Sequence, residues 1–365
     1  MANMSLYRTF CCGVLGASTL CGVVLAAAKP PAYPERRVYN PVTGTWTVAP
    51  SPVPGTEEGD LQLAMIDLTE GRPKQAKDRL KKWLKRYPAS AQRPEAMIAL
   101  GDAELALGNR MQAYKQYEKA LDQYPGLEGE ERILRHEFAV GVAFLAGVKQ
   151  KVFGIFRFPA YEEGLDILDK VVQRAPGAAL AEDAIKAKAD YYFRNGEFAL
   201  AETEYARLAQ EFPRGRYPRM ALLMSAQSAL ARFPGIAYDD SALWEARERF
   251  IAFRDRYPQF AEQENIAALL RRIDGTLADK HLMVGRWYSK QKHPESAAIY
   301  YREVISRWPD TNAAVQARSR LSVLAAAGPL MPAPMELPVP ASGPGTQAAP
   351  AAPQPAATQG DAVQG

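Results

Sequence analysis

Cysteine is nearly absent from this chain of 365 residues, and its three copies, Cys11, Cys12 and Cys21, all fall in the first 21 positions. The rest of the chain can therefore hold no disulfide framework, no cysteine zinc site and no thiol nucleophile. Histidine is as scarce. His136, His281 and His293 have no second ligand at helical spacing, and H-E-x-x-H, G-x-S-x-G and a phosphate loop are all missing. No catalytic residue, metal or cofactor is assigned, and the expectation is a protein that is not an enzyme. Three acid pairs could serve a glycosidase: Glu162-Glu163, Glu202/Glu204 and Asp239-Asp240. They are better read as helix starts and exposed faces, since acids favour helix N-termini. A charge excess of one sign is also lacking, with 45 basic residues against 41 acidic. That balance argues against a nucleic-acid partner, which would favour a basic stripe.

Strand signals are few, and a repeat takes their place. Pro88, Pro125, Pro213, Pro258 and Pro309 each follow an aromatic residue: Tyr87, Tyr124, Phe212, Tyr257 and Trp308. Twelve residues before each proline stands an alanine, at Ala76, Ala113, Ala201, Ala246 and Ala297. A weaker sixth copy has Gly164 before Ala175-Pro176. Apolar residues three and four apart, such as Tyr117, Ala120, Leu121 and Tyr124, give the frame a helical period. Proline ends each helix because it cannot extend the hydrogen-bond ladder and pushes its predecessor out of the α region. The small residue lets a neighbouring backbone come close.

A first helix precedes each frame, with Gly101, Ala189 and Gly285 at its small position. The combined pattern resembles the tetratricopeptide (TPR) repeat, whose helix-turn-helix unit cannot bury its apolar face alone. The expected fold is all-α, a TPR-like α-solenoid of about five to six repeats over residues 57–327. The proline intervals of 37 to 51 residues exceed the usual repeat of about 34. Insertions are therefore expected at "KQKVFGIFRFPAYEEG" and "FPGIAYDDSALWEA", and residues 262–290 read as one unbroken helix.

The flanks differ from the repeats. Residues 1–28 carry one charge, Arg8, then an apolar run ending at Ala26-Ala27-Ala28. This reads as a signal peptide cleaved after Ala28, with Ala26 and Ala28 as the small cleavage residues; an uncleaved membrane anchor is the alternative. Cys21 follows Ser18-Thr19-Leu20 but is itself followed by apolar residues, a poor context for lipidation. Residues 29–56 read as a Pro-rich extended segment with Asn-Pro and Thr-Gly turn signals, and residues 328–365 as a disordered Ala/Pro-rich tail.

Two features invite a partner. "RPKQAKDRLKKWLKRYP" places Lys74, Lys77, Lys81, Lys82, Lys85 and Arg86 on one helix, read either as a solvated face or as contact for an anionic partner or lipid surface. "VFGIFRF" brings Phe153, Phe156 and Phe158 together, read as packing of an enlarged repeat or as an exposed contact site.

The long last unit, "ADKHLMVGRWYSKQKHPESAAIYYREVISRWPDT", with Ala278, His281, Val284, Trp287-Tyr288 and Pro309-Asp310-Thr311, resembles the outer-membrane assembly lipoproteins of the BamD (YfiO, ComL) type. The resemblance is read over residues 58–325. It implies a non-enzymatic periplasmic scaffold, free in the periplasm or attached to the outer membrane, that binds a BamA-type barrel insertase and unfolded outer-membrane proteins. Arg286, Trp287 and Tyr288 then become candidate partner-binding residues. A TPR adaptor for peptidoglycan synthesis or cell division in the envelope is the alternative.

Overall fold

The computed structural model describes residues 37–41, 44–48, 51–152 and 156–327. The expectations for Ala26, Ala28, Cys21, Phe153 and the tail at 328–365 lie outside these residues. The chain divides into two compact units, residues 1–107 and 108–365.

In the first unit, β1 (Arg37–Asn40) and β2 (Thr45–Val48) pair antiparallel, with Tyr39 opposite Trp46 and their rings 5.3 Å apart. The segment read as Pro-rich and extended thus carries a hairpin. Asn40-Pro41 ends β1 and Gly44, at φ +65°, enters β2, which is how those turn signals are used. Three helices follow: α1 (Glu57–Thr69), α2 (Pro73–Arg86) and α3 (Arg93–Ala106). The Thr56 hydroxyl accepts the Gly59 amide at 3.1 Å and caps α1. Leu61, Ala64, Ala76, Leu80, Trp83, Ala96 and Leu100 form the core. The Trp83 indole N–H donates to the Glu57 carbonyl at 2.7 Å, so even the buried tryptophan is satisfied.

The second unit holds α4 (Arg110–Gln123), α5 (Glu130–Leu145), α6 (Tyr161–Arg174), α7 (Ala179–Arg194), α8 (Phe198–Glu211), α9 (Pro218–Ala231), α10 (Ser241–Arg256), α11 (Pro258–Gln263), α12 (Ile266–Lys290), α13 (Pro294–Arg307) and α14 (Asn312–Ala327). Successive helices pack on one another as α5 on α6, α7 on α8, α9 on α10 and α12 on α13. The fold is all-α and of the TPR type, and a short hairpin of β3 (Gln150–Val152) and β4 (Phe156–Phe158) fills the interval before α6. That hairpin accounts for one of the lengthened repeats.

The proline frame marks the ends of α2, α4, α6, α8, α10 and α13, each of which stops one residue before the proline's neighbour. Ala76, Ala113, Ala201, Ala246 and Ala297 are fully enclosed. At Gly164 the approach is closer still. A Cβ there would stand 3.0 Å from the Gly141 carbonyl oxygen, so α5 and α6 touch backbone to backbone and the sixth copy needs glycine where the others carry alanine.

The expected unbroken helix over 262–290 is interrupted. Asn265 takes a left-handed conformation, φ +50°, between α11 and α12, and asparagine is among the few side chains that tolerate it. No proline announces this break. Ile266, Leu270, Ile273 and Leu277 then turn the face of α12 into a core shared with Phe250 and Phe253 of α10 and with Tyr301 and Val304 of α13.

Candidate protein-binding surface

The last helix pair is held together by a glycine. A Cβ on Gly285 would fall 2.6 Å from the Tyr301 ring, so only glycine lets α12 close on α13 at this level. That closeness fixes the three residues that follow. Arg286 donates to the Gln316 side chain on α14, Tyr288 stacks on Tyr300 with ring centres 5.5 Å apart, and Trp287 points outward with 54% of its surface exposed.

Behind Trp287 runs a continuous file of rings. Trp287 meets Tyr288 edge-on at 4.9 Å, Tyr288 stacks on Tyr300, and Tyr300 lies 6.0 Å from His281. His281 meets Trp308 at 5.1 Å, and Trp308 lies 5.9 Å from Trp244 on α10. Such offset and edge contacts suit the ring quadrupoles and stiffen the whole file.

His281 sits at its centre between two acids. Its Nδ1 is 3.0 Å from Glu303 and its Nε2 is 3.6 Å from Asp240. Burial opposes a charged ring here, but the hydrogen bonds and charges of Asp240 and Glu303 outweigh it and lift His281 to about 9. The imidazolium in turn holds Asp240 and Glu303 below their ordinary range despite their burial. Neither acid is within reach of His281 in sequence terms, with Glu303 lying 22 residues on. The histidine is therefore an ion-pair centre that sequence spacing did not reveal.

The other candidate patch is narrower. Phe156 and Phe158 are 58% and 51% exposed, with ring centres 6.3 Å apart on the short β4 strand. Packing into an enlarged repeat, the bland reading of these two rings, does not hold because both face outward.

The acid pairs sort differently from one another. Glu162 and Glu163 lie in the first turn of α6, and the Asp239 carboxylate accepts the Ser241 amide at 3.1 Å at the start of α10. Glu202 is the exception to the exposed reading. It is 4% exposed and lies between Arg232, at 3.2 Å, and Arg249, at 2.7 Å, while Glu204 pairs with Lys188 at 3.0 Å. The preference of acids for helix N-termini says nothing of this, because the arginines that draw Glu202 inward come from the next helix pair.

Among the described residues no cluster of metal-binding side chains occurs, and no helix is long and apolar enough to cross a membrane.

The fold and this surface define a TPR-type helical repeat protein. Residues 95–126 match the tetratricopeptide repeat family. Residues 157–328 match the YfiO family of outer membrane lipoproteins, so the BamD/YfiO resemblance is shown over the part that holds α6–α14 and the ring file. No curated protein matches the chain significantly. Solved structures that the chain matches include the carboxyl-terminal part of a TPR protein from Cytophaga hutchinsonii, 12% identical, covering 72% of this chain and 88% of that one with a TM-score of 0.35. A TPR protein from Parabacteroides merdae is 13% identical, covers 74% and 98%, and has a TM-score of 0.33. The pilF protein of Pseudomonas aeruginosa is 17% identical, covers 74% and 97%, and has a TM-score of 0.27.

Proposed function

We propose that this chain is a non-enzymatic scaffold of the periplasm, exported by residues 1–28 with cleavage after Ala28, that works in outer-membrane protein assembly. In this reading the YfiO-like part docks on a BamA-type barrel insertase and the helix pairs hold unfolded client segments. The observation that carries it is Trp287, an exposed indole at the end of a stiffened ring file inside the YfiO-matching residues. Large aromatic anchors on rigid supports are what dominate protein interfaces. The exposed Phe156 and Phe158 supply a second apolar contact for a client.

The test is a crosslinked pull-down of the tagged full-length chain from native envelopes, repeated with Trp287→Ala. Substitution is preferable to truncation, because α11–α14 share one core with α9 and α10 and their removal would bare it. Recovery of a barrel insertase that falls at least about tenfold in the variant supports the reading, that being the effect of losing one hot-spot residue. Recovery of cell-wall synthases without the insertase would move the protein to the peptidoglycan or division machinery.

A further inference from the structure

The first unit sorts its charges by helix. α1 carries Glu57, Glu58, Asp60 and Asp67 and no basic residue, whereas α2 carries seven basic residues and the single acid Asp78. Ala76, Leu80 and Trp83 turn one face of α2 into the core. Along the flanks of that face the charges are used internally: Lys77 pairs with Glu104 at 2.9 Å, Arg79 with Asp67 at 2.7 Å and Arg86 with Asp60 at 3.7 Å. The opposite face keeps Lys74, Lys81, Lys82 and Lys85 exposed, and none of the four has an ion-pair partner among the described residues.

We propose that this lysine face of α2 is a docking surface for the anionic phospholipid headgroups of a bilayer. Two features select lipid over an acidic protein. First, the four free cations are all lysines. An ammonium on a flexible stem suits a laterally mobile field of phosphates, whereas fixed carboxylates favour the planar fork of arginine, and here both arginines of α2 are spent on internal pairs, together with Lys77. Second, α2 exposes no large apolar side chain, so it lacks the buried anchor on which a protein interface depends. A face with four exposed lysines against the single exposed acid Asp78, and without an anchor, binds by long-range attraction and holds whatever presents many phosphates at once. The inference adds an orientation to the proposed envelope role and does not depend on the insertase.

Vesicle flotation of the full-length chain tests it, with mixed phosphatidylglycerol and phosphatidylcholine vesicles compared with pure phosphatidylcholine. Any insertion of the apolar segment at residues 1–28 is common to both lipids, so the readout is the difference between them. The expected result is binding roughly tenfold or more tighter to the anionic vesicles, weakened by added salt, and reduced to the phosphatidylcholine level by the joint substitution K74E, K81E, K82E and K85E. Those four lysines have no ion-pair partner among the described residues, so an unchanged circular dichroism melt verifies the fold of the variant. The control K290E with K292E, on the other unit, leaves binding unchanged. Equal binding to both lipids, or equal anionic-lipid binding by wild type and the fourfold variant, overturns the proposal. So does tighter capture by polyglutamate than by anionic vesicles, which would indicate an acidic protein partner.

Discussion

Glu202 on α8 and Arg249 on α10 meet at 2.7 Å, although 47 residues separate them in the chain. The pair spans two successive helix pairs, and Arg249 also donates to Ser225 on α9 at 2.6 Å. Burial holds the Glu202 carboxyl above its ordinary range, its hydrogen bond with Glu245 adds to that, and the arginines pull it back. Removing one partner of such a pair leaves a buried charge uncompensated, which costs about 3–5 kcal/mol. Arg249→Met is therefore expected to lower Tm by about 10 °C, a drop of several kcal/mol in a unit of this size. A calorimetric scan that shows no change would mean that Arg232 alone satisfies Glu202.

Two glycines on one helix separate packing from propensity. A Cβ on Gly285 would overlap the Tyr301 ring, whereas one on Gly275, also in α12, would meet nothing within 4 Å. Gly285→Ala is expected to destabilise by about 1–3 kcal/mol through overpacking. Gly275→Ala is expected to stabilise by about 0.5–1 kcal/mol, because alanine in a helix interior loses less backbone entropy. Urea titrations of both variants measure the two signs. The same sign for both would show that the α12–α13 contact is loose.

These cases mark where the sequence was readable. Gly285, Ala113 and Pro309 leave local traces: a small residue where helices touch, and a proline where one stops. A one-dimensional repeat shows such traces at fixed spacing, so the all-α TPR fold could be read before any coordinate. The Glu202 cluster and the His281 site could not, because Arg249 and Asp240 arrive from other helix pairs and Glu303 from the facing helix α13, at distances that no period predicts. The β1–β2 hairpin escaped for the opposite reason. Its strands have only four residues each in a proline-rich stretch, too short for an alternating pattern to stand out.

The His281 site makes stability depend on alkaline pH. Its folded pKa, about 9, lies above the ordinary value of 6.5. A group raised in this way contributes fully below pH 6.5, and the contribution disappears as pH rises through 9. The amount is about 3 kcal/mol at most, from roughly 1.4 kcal/mol per unit. Asp240 and Glu303 are shifted down by the same contacts, so the triad also weakens as pH falls through their folded values. His281→Gln is expected to flatten the curve of Tm against pH between 6.5 and 9. A variant curve parallel to wild type would place the charge elsewhere.

Glu137 makes the opposite demand on the fold. It lies fully buried on α5, and neither carboxylate oxygen has a hydrogen-bond partner among the described residues. Burial first, and the nearby Glu118 second, lift it from 4.5 to about 8. Arg174, the cation that opposes this shift, is already taken by Glu118 at 3.1 Å and Asp122 at 2.6 Å. The folded protein therefore keeps a neutral carboxyl at Glu137 at pH 7, while the unfolded chain ionises it above 4.5. Stability falls as pH rises between those two values, and the full penalty, on the order of 5 kcal/mol, is reached above pH 8. Glu137→Gln removes the titration and keeps the shape. The difference in Tm between variant and wild type is expected to be near constant below pH 4.5, to widen up to pH 8 and to level off beyond it. Taking the difference cancels the His281 contribution, which is the same in both proteins. A gap that does not change with pH would mean that Glu137 is already charged and paired in the folded state.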